Sequence, residues 1–148
     1  MTVTRPQIIE KLVNLYGQLV SCTVEVDVEE IERHEPGDGF QHGLLIKTQP
    51  FEVTLDGGPD NQWEGERAFL SDYEVLGADQ DARRAQRDLF LPALKQALEE
   101  DPTLGLDPQV FARITEGIED DVFLEDAGAM SVATITVTVL YVAPTAAG

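Results

Sequence analysis

Between Asp79 and Leu106 the apolar residues Ala82, Ala85, Leu89, Ala93, Leu94, Ala97 and Leu98 recur at steps of three and four. Charged residues such as Arg83, Arg84, Arg87, Asp88, Lys95 and Glu99 fall mostly between them. That spacing predicts a helix with one buried stripe, and it constrains the chain more than any other stretch. Asp79 can cap the start, and Asp81 adds negative charge to the first turn. Pro92 removes a backbone donor, so it kinks the helix or divides it. Pro102 and Gly105 end it, with Leu104 and Leu106 as anchors for the turn that follows.

A second helix is predicted from about Arg5 to Val20. Thr4 and Gln7 stand at capping-box spacing, and Pro6 is tolerated in the first turn. Ile8, Ile9, Leu12, Val13, Leu15, Tyr16, Leu19 and Val20 mark a broad apolar face. The period then changes to two. Val24, Val26 and Val28 alternate with Glu25, Asp27 and Glu29 in a half-buried strand from Thr23 to Ile31. Short strands follow over Gly43–Thr48 and Phe51–Leu55, separated or placed at an edge by Pro50. Another runs from about Arg67 to Leu76, with Phe69, Tyr73 and Val75 sharing one face. Asp107-Pro108 can start a short helix through Val110, Phe111 and Ile114, and Gly117–Leu124 reads as a strand. The strongest strand covers Ala129–Val142. There Ala133, Ile135, Val137, Val139 and Tyr141 face one way and Thr134, Thr136 and Thr138 the other. Turns are expected at Arg33–Gly39, Asp56–Asn61 and Glu125–Gly128.

The order of elements is α, several β, α, β. It predicts a single α+β domain over residues 1–143, a mostly antiparallel sheet with two main helices packed on one face. Residues 144–148 are expected to be a disordered tail. The 148 residues and 43% hydrophobic content suit one domain with a real core.

Ten basic residues against 28 acidic ones give a net charge of −18. Phosphate neutralisation needs clustered Lys and Arg, so nucleic-acid binding is not expected. Three readings of the acidity stay open: a solvated acidic surface, adaptation to a high-salt cytoplasm, or a protein that lines or imitates a negatively charged path. Cys22 is the sole cysteine, so no intrachain disulfide forms. The first residues lack the layout of a signal peptide, and no run approaches the roughly 20 apolar residues of a membrane helix. A soluble chain made in the cytoplasm, with no membrane partner, is the expectation.

The chain offers no reactive constellation. His34 and His42 are separated by seven residues, with Glu32, Glu35 and Asp38 near, but the spacing fits no common zinc pattern. Asp56, Asp60, Glu64 and Glu66 surround a Gly-Gly-Pro loop without calcium-loop spacing. Ser21, Cys22 and Ser131 have no histidine partner in any recognisable motif. No catalytic residue, metal ligand or cofactor site is assigned, and an enzyme is not expected. Phe40 and Trp63 are large aromatics in or beside polar loops, which either pack the loop base or anchor a protein contact. The three threonines of the last strand either meet water or face another subunit.

A helix ending in Ala97-Leu98-Glu99-Glu100-Asp101-Pro102-Thr103-Leu104-Gly105, followed by a Thr-Val-rich strand closing on Val139-Leu140-Tyr141, resembles the tail terminator, or tail completion, proteins of long-tailed phages. That family commonly has two glycines after the leucine, where this chain has Gly105-Leu106. The resemblance implies a non-enzymatic virion protein. Its subunits would assemble as a ring, typically a hexamer, on the head-proximal end of the tail tube. The ring would meet the tube protein on one side and the head–tail connector protein on the other. DNA would pass without specific binding through an acidic lumen, for which Glu25, Asp27 and Glu29 or the run Glu119, Asp120 and Asp121 are the candidates. The loops Arg33–His42 and Gly57–Arg67, carrying Phe40, Trp63 and Arg67, are the candidate contacts with tube and connector. A connector adaptor or other minor tail protein is the nearest alternative. An acidic DNA mimic that occupies a nucleic-acid-binding protein is the alternative of another class.

Overall fold

The structure, a computed structural model, describes residues 2–29, 31, 40–55, 62–124 and 128–148. The elements in chain order are α1 (Arg5–Val20), β1 (Val24–Val26), β2 (Phe40–Leu55), β3 (Trp63–Gly77), α2 (Gln80–Arg87), α3 (Phe90–Glu100), β4 (Phe111–Leu124) and β5 (Gly128–Ala143). The strands form one sheet in the order β1-β2-β3-β5-β4. β1 runs parallel to β2, and every other pair is antiparallel. The helices lie over one face, so the α+β expectation holds.

Each element follows from its residues. In α1, Gln7 Oε1 accepts from the Thr4 N–H at 2.9 Å, closing the predicted start. Ile8, Leu12, Tyr16 and Val20 then fall four apart and are buried. Ile9, Val13, Leu15 and Leu19 pack at the margin of the core. In β5, Ala133, Ile135, Val137, Val139 and Tyr141 are all fully buried, as period two requires. Phe69, Tyr73 and Val75 of β3 share that face. Phe90 joins the layers: its ring meets Tyr16 edge-on at 5.2 Å and Tyr73 at 5.6 Å.

The long central helix is divided. α2 stops at Arg87 and α3 starts at Phe90, which puts Pro92 in the first turn of α3, where its missing N–H does little harm. Asp79 Oδ1 caps α2 through the N–H groups of Asp81 and Ala82. The break changes which side faces inward. Leu94 and Leu98 are buried as expected, but Ala82, Ala85 and Leu89 are exposed. Arg83 and Arg87 are buried instead. α2 lies over a polar end of the sheet, where Gly77 O accepts from Arg83 and Asp120 O from Arg87. Long arginine stems cover apolar surface there while their heads find acceptors.

Other boundaries also differ from the sequence reading. The first strand is only three residues long, because Asp27 adopts φ 53° and turns the chain. Its carboxylate accepts from Arg5 at 2.9 Å and from the Thr48 N–H at 2.8 Å, which fixes that turn. The two strands around Pro50 are one strand, β2, with a register shift between Thr48 and Phe51 that accommodates the proline. The short helix expected from Asp107 to Ile114 is a turn followed by β4. Asp107 O accepts from Val110 N, and Ala112 N donates to Pro102 O, so the chain is already extended at Phe111. The terminal residues 144–148 fold back, and Arg67 Nη2 donates to Ala147 O at 2.6 Å. The expected turns at Arg33–Gly39 and Asp56–Asn61, and Glu125 to Ala127 of the third, lie outside the described residues.

Candidate assembly surfaces

The face of the sheet away from the helices is acidic, for a reason of register. On β3 the core residues Arg67, Phe69, Ser71, Tyr73 and Val75 alternate with Glu64, Glu66, Ala68, Leu70, Asp72 and Glu74. The second set therefore points to the uncovered side. Glu25 pairs beside Leu45, Glu52 opposite Glu66, Glu116 opposite Thr136 and Asp120 opposite Val132, so these acids join the same face. Basic relief comes from Lys47, 3.5 Å from Asp72, and from Arg113. The threonines at 134, 136 and 138 lie in the same layer, where Thr134 Oγ1 donates to Asp72.

The six acids singled out from sequence separate into two groups. Glu25 and Asp120 lie on the uncovered face, and Glu29 is exposed beyond β1. Asp27, Glu119 and Asp121 are occupied within the fold. Partial burial pushes the Asp27 carboxyl up, but the Thr48 and Arg5 hydrogen bonds outweigh it and hold the group below the usual range. Asp121 accepts from Ser131 Oγ at 2.6 Å, Arg84 Nε at 2.7 Å and Arg87 Nη1 at 3.3 Å. The Ser131 hydroxyl first, then Arg84, hold its carboxyl low. Glu119 lies 3.6 Å from Arg87. It shares a hydrogen bond with Asp88, which raises Glu119 and lowers Asp88. Glu119 and Asp121 thus clasp α2 to β4. The acids of β3 complete the negative surface. Their signal was the polar half of the alternation whose apolar half, Phe69, Tyr73 and Val75, is plain in the sequence.

Phe40 and Trp63 open β2 and β3 and are half-buried. The Phe40 ring stands edge-on to His42 at 5.3 Å. Arg67 lies inside β3 and is 7% exposed, so it does not belong to a contact loop. Its Nε donates to Tyr141 Oη at 3.1 Å and its Nη1 to Gln49 O at 2.9 Å, which ties β2 and β5 together across β3. His42 is buried on β2, with Nδ1 2.6 Å from Tyr73 Oη. Glu32, His34, Glu35, Asp38, Asp56 and Asp60 lie outside the described residues. Among the described residues no group of three or more His, Cys, Asp or Glu is placed to hold a metal ion. Burial pushes the half-buried Cys22 thiol up to about 12, which makes it a poor nucleophile.

The two edges of the sheet differ. β4 is 14 residues long and pairs with β5 along one side; no strand among the described residues pairs with its other side, where Ala112 N donates to Pro102 O and Asp120 O accepts from Arg87. Four of the eight exposed large hydrophobic residues among the described ones, Phe111, Ile118, Val122 and Phe123, lie on it, so the apolar exposure is concentrated rather than scattered. Beside its first residues, between α3 and β4, is an open apolar groove of about 580 Å³ lined by Leu91, Leu98, Pro102, Phe111 and Ile114, with Lys95, Glu99 and Arg113 at the rim. At the opposite edge β1 covers only Leu44–Ile46 of β2. Val53 and Leu55 are exposed beyond it, Leu55 at 62%.

Among the described residues no helix is long and apolar enough to cross a membrane. No family model matches the sequence, and no curated protein matches it.

Proposed function

We propose that this chain is a structural, non-enzymatic virion protein: a tail terminator whose copies close into a ring, typically six, on the head-proximal end of a phage tail tube. The observation that carries the reading is the pair of unlike apolar edges on one sheet. A single self-complementary patch gives a two-fold dimer. Two different patches on opposite sides suit head-to-tail association, which closes into rings. The uncovered acidic face, with Glu25, Glu64, Glu66 and Asp120, then serves as the lumen wall. Like charge on wall and phosphates keeps passing DNA from adhering. The Ala97–Gly105 helix end and the last Thr-Val strand, on which the family resemblance rests, support the same reading.

The test is to add the purified protein to tail tubes of a long-tailed phage and image them by negative stain. A ring capping one end of the tube, and arrest of further tube polymerisation, are the expected results. A ring that binds the capsid connector but not the tube moves the reading to a connector adaptor. A chain that ignores both and binds a basic nucleic-acid-binding protein overturns the proposal in favour of the DNA mimic.

A further inference from the structure

We infer that α2 is a polar lid: it opens from the sheet as a unit while α1, α3 and the strands stay folded. The inference concerns the single chain and goes beyond the ring reading, on which it does not depend.

The first observation is what α2 lacks. A surface helix is usually held down by an apolar stripe. α1 brings Ile8, Leu12, Tyr16 and Val20 to the core, and α3 brings Phe90, Leu94 and Leu98. α2 brings no residue to the core or to its margin among the described residues. Its two alanines, Ala82 and Ala85, are exposed, and its two buried residues are Arg83 and Arg87. Lifting α2 withdraws only arginine stems from apolar surroundings, whereas lifting α3 would expose three large apolar side chains.

The second observation is what holds α2 in place. Arg83 Nη1 donates to Gly77 O at 2.7 Å and Gln86 Nε2 to Tyr73 Oη at 3.0 Å, both on β3. Arg84 Nε donates to Asp121 at 2.7 Å, and Arg87 Nη1 donates to Asp120 O at 2.9 Å and to Asp121 at 3.3 Å, all on β4. Water can replace each of these partners, so breaking them costs little beside the exposure of apolar surface. Arg83 even favours opening. Its Nε is buried without an acceptor among the described residues, and solvent would supply one.

The third observation is the setting of the helix. Ala78 and Asp79 before it, and Asp88 and Leu89 after it, are exposed, so the chain can swing at both ends without unpacking β3 or α3. The contacts of α2 run from Tyr73 and Gly77 across to Asp121, and Val75 and Ser131 lie between them in one row of the sheet. An open lid therefore uncovers Val75, Ser131 and the Tyr73 hydroxyl, all of them on fully buried residues in the closed state. Val75 is the apolar member of that set, which keeps the apolar area uncovered small.

The test is hydrogen exchange of the full-length chain, read by mass spectrometry on peptides covering α2 and α3, at several urea concentrations below the unfolding midpoint. A local opening exposes little surface, so its rate changes little with urea, whereas global unfolding responds steeply. The expected result is exchange in α2 about 100-fold faster than in α3 and nearly independent of urea. Asp121→Asn loosens both Arg84 and Arg87, and should speed exchange in α2 about fivefold without giving it a urea dependence. Exchange of α2 and α3 at one rate with one urea slope overturns the inference, because the two helices would then open only together. A rate in α2 that Asp121→Asn leaves unchanged overturns it as well, because the polar contacts would not be what holds the helix.

Discussion

Gly65 shows how tightly single residues are constrained beside the exposed end of β2. It sits on β3 opposite Val53 of β2 and Tyr141 of β5. A Cβ added there would come within 2.5 Å of Glu52 O and 2.6 Å of Phe51 Cζ. The phenyl ring can turn, but the carbonyl belongs to the backbone of β2 and cannot yield without moving the strand. Gly65→Ala is therefore expected to destabilise the fold by about 1–3 kcal/mol, the usual cost of overpacking, although alanine has the better strand propensity. A urea titration of the variant measures it, and an unchanged midpoint would contradict the packing described. Phe90→Ala acts by the opposite mechanism. It empties the space between Tyr16 and Tyr73 and is expected to cost about 3–5 kcal/mol in the same titration.

At the scale of elements, the clasp between α2 and β4 makes stability depend on pH. Asp121 is held low, so its contribution is present above the unfolded-state value of about 3.9 and is lost as pH falls through its folded value. Glu119 is raised by Asp88, so its opposite contribution is present below about 4.3 and is lost as pH rises through its folded value. Asp121→Asn is thus expected to cost about 1 kcal/mol at neutral pH, a modest figure because the group is partly solvated. It should also flatten the loss of stability below about pH 4, read from urea midpoints across that range. This clasp was not legible in the sequence. The helix between Asp79 and Asp101 was, as were its caps and the role of Pro92. Its inward face was misread in α2 because alanine looked apolar enough to bury. The arginines are inward because acceptors from Gly77 and Asp120 meet them, and those residues are distant in sequence or belong to other elements. Likewise β5 was read almost to its ends from its alternation. The length of β1 depended on a left-handed residue, Asp27, whose partners are Arg5 and Thr48. Local periodicity is written in neighbouring residues, whereas polar partners are set by the tertiary fold. The acidic sheet face lies between these cases: the alternation is written in each strand, but which acids share one face is set by the pairing of strands distant in sequence.

For the whole molecule, the charge of −18 sets the conditions under which copies can meet. Two such bodies with centres about 40 Å apart would repel by roughly 30 kcal/mol in unscreened water. Counter-ions around spheres of this size reduce the figure to several kcal/mol at 0.1 M salt, where the Debye length is about 10 Å, and to under about 1 kcal/mol at 1 M, where it is about 3 Å. Ion pairs formed across a contact would act the other way, but exposed pairs contribute only about 0.2–1 kcal/mol each and are screened by the same salt. The global term is the larger, and burial of Phe111, Val53 and Leu55 is indifferent to moderate salt. Ring formation is therefore expected to strengthen as sodium chloride rises from 0.1 to about 1 M, measured as the concentration at which half the chains assemble in light scattering. The slope itself carries information about the lumen. Replacing Glu64, Glu66 and Asp120 by their amides removes three charges that a ring would crowd around its axis, and leaves both edges unaltered. If the acidic face lines the lumen, that variant assembles at lower salt than the unsubstituted chain, with the same limiting mass. If the acids instead face outward on the finished ring, they lie farther apart and the salt dependence changes little.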